Sequence, residues 1–91
     1  MLSTYTKQCL VVALADSKLA DRVEAAAIAN TALSKSDTDA LKVAVASTKH
    51  GQEIANAIQT PAVLSAKAAA ALTVALADNK AAAELIALIQ S

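Results

Sequence analysis

Residues 2–32, 33–63 and 64–91 can be laid beneath one another without a gap, and this 31-residue period constrains the fold more than any other feature of the chain. Seven columns are identical in all three copies: Leu2/Leu33/Leu64, Ser3/Ser34/Ser65, Leu10/Leu41/Leu72, Val12/Val43/Val74, Ala13/Ala44/Ala75, Ala15/Ala46/Ala77 and Lys18/Lys49/Lys80. Others are conservative, such as Leu14/Val45/Leu76 and Val23/Ile54/Leu85. Alanine richness would produce alanine matches. It would not place the Leu-Ser pair, the valine and the lysine in one register. A fixed period of this length is the mark of a repeat architecture, in which each unit buries its apolar face against its neighbours.

Each copy reads as two helices. The repeated serine is an N-cap type, because its hydroxyl can accept from a free N–H of the first turn. Ser34 is followed three residues later by Asp37, a partial capping box that the other copies lack. Ser17, Thr48 and Asn79 are cap types for the second helix of each copy. The first helices are therefore expected at about 4–15, 35–46 and 66–77, and the second at about 18–29, 49–59 and 80–90. Asn30-Thr31 and Thr60-Pro61 break the copies apart, since proline cannot continue a helix and restrains the residue before it. A β-plus-helix unit competes with this reading, because Lys42–Ser47 alternates like a strand. The flanking caps and the alanine run at 66–71 favour helix. The expected fold is all-α: three tandem 31-residue hairpins, about six short helices, stacked as one repeat bundle spanning residues 1–91.

Composition says how such a bundle must be filled. Twenty-five residues are alanine, against eleven Leu, seven Val and five Ile. Alanine loses no side-chain entropy in a helix. The larger aliphatics are too few to offset the ordering of the whole chain, so close helix contacts through alanine are called for, with self-association as a further source of burial open to the chain. In the first helices Leu10 and Leu14 lie four apart, with Val12, Ala13 and Ala15 covering other sides, a pattern expected of a helix buried between neighbours. The expected layout is a layer of first helices covered by second helices, with the hairpins stacked in order. The final helix departs from its counterparts. Ile86 stands where Glu24 and Ala55 do, and Leu88 where Ala26 and Ala57 do. With Leu85 and Ile89 they form an apolar stripe that either closes the bundle or meets a second subunit, with the lean toward self-association. Leu85, Ile86, Leu88 and Ile89 are thus the candidate interface.

Eight basic residues balance eight acidic ones, which gives no electrostatic reason to expect nucleic acid or an anionic membrane. One tyrosine without Trp or Phe offers no base-stacking surface. No apolar run approaches the roughly 20 residues needed to span a bilayer. Lys7 followed by Cys9–Ala15 loosely mimics a signal peptide, but the same segment recurs inside the chain, so it reads as a repeat element. Cys9 and His50 are the only residues of their kinds and occupy different repeat positions. Nothing in their spacing supplies a nucleophile, a base and an orienting group, so Cys9 reads as a small buried side chain and His50 as a first-turn surface residue. Asp37-Thr38-Asp39 lacks the glycine and distal glutamate of a calcium loop. Asp16 and Asp78 fall at hairpin turns, where a carboxylate favours the positive end of the next helix, so capping rather than cation binding is their expected role. No catalytic residue, cofactor or metal is called for. The repeated lysine is the remaining polar feature: Lys18, Lys49 and Lys80 would form a row able to meet an acidic partner, or three solvated side chains.

The segment 33–58, Leu-Ser followed by Ala-Leu-Lys-Val-Ala-Val-Ala-Ser and Glu-Ile-Ala-Asn-Ala-Ile, resembles alanine-rich helix-pair segments of phage virion proteins such as head or tail-fibre components. That resemblance implies a structural attachment or oligomerisation role and carries over no functional residue. The expectation is therefore a non-enzymatic structural or oligomerisation module, with copies of itself or another protein as partner, in the cytoplasm or in a virion. The alternative is a helical-repeat adaptor that holds a peptide or partner helix in a groove.

Overall fold

Six caps divide the chain into six helices. In the computed structural model, which describes residues 1–91, these are α1 (Thr4–Leu14), α2 (Ser17–Ala29), α3 (Lys35–Ala44), α4 (Thr48–Gln59), α5 (Ala66–Leu76) and α6 (Asn79–Gln90). Ser3, Ser34 and Ser65 accept the N–H of Thr6, Asp37 and Ala68 at 3.2, 3.1 and 3.1 Å, as the repeated serine predicts. The second cap is the residue before Ser17, Thr48 and Asn79, which makes Asp16 and Asp78 caps as their place at the hairpin turn predicts. Asp16, Ser47 and Asp78, rather than Ser17, Thr48 and Asn79, accept from Leu19, His50 and Ala81 at 2.9, 3.1 and 2.9 Å. A carboxylate satisfies the same free N–H and also meets the positive helix end, so it takes the position where aspartate is available.

The turn inside each hairpin explains another identical column. Ala15, Ala46 and Ala77 have φ of 58°, 55° and 55°, in the left-handed region. Each first helix ends one or two residues sooner than expected because its chain reverses there. An L-residue is strained in this region by roughly 1–2 kcal/mol, and alanine has the smallest Cβ-bearing side chain that can occupy it. No strand forms: Lys42–Ala44 continues α3, and the alternation through Ser47 is a helix end plus a turn.

One stripe of each first helix is buried. Thr6, Leu10 and Leu14 in α1 are matched by Asp37, Leu41 and Val45, and by Ala68, Leu72 and Leu76. The opposite side is not covered. Val12, Val43 and Val74 are 79%, 80% and 79% exposed, which corrects the expectation of helices buried on several faces. Alanine supplies the apolar look of those other faces, while the leucines at i and i+4 define the side that packs.

The hairpins do not stack in a row. Helices α2, α4 and α6 all touch one another, with Val23, Ile54 and Leu85 each 1% exposed. They join the buried leucines in one core cluster. Helix α5 packs on α4, and α1 packs on α6. The third hairpin thus returns to the first, and the molecule measures 25 × 24 × 24 Å instead of being drawn out along a stacking axis. The reason is burial: an open row would leave the apolar faces of its two end units in water, and closing the row covers both.

Candidate functional site

Outside the shared core, each boundary between hairpins has a polar contact from one repeat position, 22/53/84 on the second helix, which faces 3/34/65 and 6/37/68 at the start of the next first helix. Between hairpins one and two, the Arg22 guanidinium donates to the Asp37 carboxylate from Nε at 2.6 Å and from an Nη at 2.8 Å. The guanidinium holds the Asp37 carboxyl below the usual range, and Asp37 is buried where Arg22 is half in water. Between hairpins two and three, Glu53 accepts the backbone N–H of Ser65 at 2.7 Å and its hydroxyl at 3.1 Å. Between three and one, Glu84 accepts the Thr6 hydroxyl at 2.6 Å, the Ser3 hydroxyl at 3.1 Å and the Ser3 N–H. These donors, the Thr6 hydroxyl first, keep the Glu84 carboxyl below its ordinary pKa. Chain neighbours support the first two joints. The third spans 78 to 81 residues.

Tyr5 reinforces that third joint. Its hydroxyl donates to the Asp78 carboxylate, the group that also caps α6. Bonding to an anion pushes the phenol pKa up to about 12 and lowers that of Asp78. Glu24 is buried. It accepts the Leu2 N–H at 2.9 Å and lies 3.3 Å from the Lys7 ammonium, so its charge is matched within the first hairpin.

The candidate residues sort as follows. Leu85 and Ile89 are 1% and 0% exposed, in the core where α6 closes the bundle, while Ile86 and Leu88 are half-buried against it. Of the two explanations for the stripe, closure accounts for Leu85 and Ile89, and the lean toward a second subunit finds no free surface on them. Lys18, Lys49 and Lys80 are exposed in the first turns of α2, α4 and α6. Cys9 is half-buried near Tyr5, and His50 is half-buried at the start of α4; each belongs to a different hairpin. No three His, Cys, Asp or Glu side chains converge on one point.

Two grooves repeat between a second helix and the connector that leaves it. One, of about 800 Å³, runs along α4 and is lined by Lys42, Lys49, Gln52, Asn56, Thr60 and Val63 among others. Its counterpart along α2, about 600 Å³, includes Arg22, Ala25, Ala29, Leu33 and Asp37. Two of the seven identical columns, the valine and the lysine, therefore carry no packing duty inside the chain. Both sit beside the hairpin turn, the valine at the end of the first helix and the lysine at the start of the second.

No family model, curated protein or solved structure matches this chain. No helix is long and apolar enough to cross a membrane.

Sequence reasoning missed positions 22, 53 and 84, because Arg, Glu and Glu share no identity. A signal existed in the pairing of columns: the one copy with a cation at this position is followed by the one copy with an anion at 37.

Proposed function

We propose that this chain is a non-catalytic structural module that works by assembling with protein surfaces, copies of itself first among them. The observation that carries the reading is the triplet Val12, Val43 and Val74, each about four-fifths exposed at the same place in its hairpin. A single exposed valine is ordinary on any protein surface. Three at one repeat position, each at the same hairpin turn as an exposed lysine of another identical column, make a repeated contact element that combines apolar and cationic groups. Such a surface suits an apolar partner face edged by carboxylates. The resemblance of residues 33–58 to helix pairs of phage virion proteins supports the same role, and in an assembly of many copies repeated weak contacts would add up.

Sedimentation of the full chain across a wide concentration range tests this. Association that disappears when all three valines are changed to serine is expected. A monomer at every concentration in both forms would count against copies of the chain as the partner. The groove along α4 favours a second reading, a site for a peptide or helix with its own polar groups, since the lining mixes Lys49, Glu53 and Asn56 with Ala57 and Val63. Val63→Asp should then abolish peptide binding while leaving valine-dependent association intact.

A further inference from the structure

The three joints share one register but not one connectivity. Two are made by neighbouring hairpins along the chain, whereas the joint between α6 and α1 is made by the two ends of the described fold. Its groups are Glu84 on one side and Ser3 and Thr6 on the other, with Tyr5 and Asp78 alongside. None of these contacts depends on both sides belonging to one molecule.

We infer that this joint is exchangeable: α6 of one copy receives α1 of a second copy in the register seen within the chain, so that two copies assemble by trading a terminal hairpin. Exchange recreates every contact of the closed form, so its cost is mainly the entropy of association, and such swapping is a low-cost route to dimers. Whichever terminal hairpin leaves, the connector at 31–34 or the one at 60–65 swings with it, and both are non-helical. The partner is specified by charge. A glutamate at 84 fits the hydroxyls of Ser3 and Thr6. It would be repelled by Asp37, which lies at the equivalent place on α3 and is already held by Arg22. Position 22/53/84 is thus a key that admits hairpin one of a second copy onto hairpin three and rejects hairpin two. This joint is separate from the valine surface and does not rest on it.

The test uses two full-length chains, both carrying Val12→Ser, Val43→Ser and Val74→Ser so that the contact proposed above is removed. One chain adds Glu84→Arg and the other adds Thr6→Asp. Alone, each has a mismatched closing joint: arginine facing hydroxyls, or two carboxylates facing each other. Unfolded together and refolded as a mixture, they can match both joints by exchange, one as arginine with aspartate and one as the native pair. Native mass spectrometry distinguishes the pairs by mass, and heterodimer should exceed either homodimer by about tenfold, the ratio that corresponds to 1.4 kcal/mol of preference. A third chain carrying both substitutions should regain a closed monomer with the melting temperature of the parent. Monomers only in the mixture would overturn the inference. So would equal amounts of homodimer and heterodimer, or a double variant that melts no higher than the weaker single one.

Discussion

The middle hairpin is held to the first by an ion pair, while the first and third hairpins are held to each other by carboxylates that accept hydrogen bonds from hydroxyls. Arg22 reaches Asp37 across one boundary, and Glu84 and Asp78 receive Thr6, Ser3 and Tyr5 across the other. The middle hairpin also differs inside. Gly51 replaces the alanine that stands at 20 and 82, and a Cβ there would lie 2.6 Å from the Lys42 Cα. Helices α3 and α4 are therefore closer at this point than an alanine permits. One repeat unit can thus keep its architecture while its contacts change in chemistry, because the position and direction of a side chain on a helix are fixed by the repeat and its chemical type is not.

The most forceful way to break that comparison is Gly51→Ala. It should destabilise the chain by about 2 kcal/mol, in the range expected for overpacking against backbone, as read from urea denaturation. The reverse change in an outer hairpin, Ala82→Gly, should cost the helix propensity of glycine, about 1 kcal/mol, plus roughly 0.8 kcal/mol for the buried methyl it removes. A gain in stability from Gly51→Ala, the outcome where alanine fits as it does at 20 and 82, would mean the middle hairpin is not special.

Asp37→Thr gives the first boundary the side chain of the third without changing its arginine. About 1 kcal/mol should be lost, since Arg22 is half exposed and can return to water. The parent should lose part of that difference when salt is raised from low to molar concentration, while the variant should not. An identical salt response in both chains would show that the ion pair contributes nothing.

The hairpin turns sharpen the comparison from the other direction, because there the copies agree. Ala15→Gly, Ala46→Gly and Ala77→Gly should each stabilise the chain by up to about 1 kcal/mol by relieving a left-handed alanine. Three similar gains would show the turns to be equivalent. A loss at Ala46 alone would extend the distinctness of the middle hairpin to its turn.

The smallest effects are those of pH. Asp37, Asp78 and Glu84 have folded-state pKa values below their ordinary 3.8, 3.8 and 4.5, so their stabilisation is complete above about pH 4.5 and is lost as the carboxylates protonate below it. Tyr5 has the opposite sign. Its folded pKa is raised from 10.0 to about 12, so the stability it lends is present below pH 10 and lost as pH climbs toward 12. As the sole aromatic residue, it can be followed directly by phenolate absorbance. A midpoint near 10 in the folded chain would mean the Tyr5–Asp78 bond is not formed, and with it one support of the closing joint. Tyr5→Phe should erase the alkaline loss and also shrink the acid limb by the share of Asp78, whose carboxyl is held low chiefly by the Tyr5 hydroxyl, leaving the parts due to Asp37 and Glu84.

Much of this was readable along the chain. Caps, turns and helix lengths depend on residues within a few positions of one another, and a 31-residue period repeats those local instructions three times. The leucine stripe at 10/14, with its counterparts at 41/45 and 72/76, also follows from helical spacing alone. Closure did not follow from it. Whether three apolar-faced units line up or circle back is decided by which arrangement leaves less surface in water, and that sum runs over the whole molecule. The same global balance buried Glu24, turned Val12, Val43 and Val74 outward, and set Glu84 beside a residue 78 positions away. Local physical chemistry wrote the hairpin into the amino-acid order; the ring, and with it every joint between hairpins, came from packing the three together.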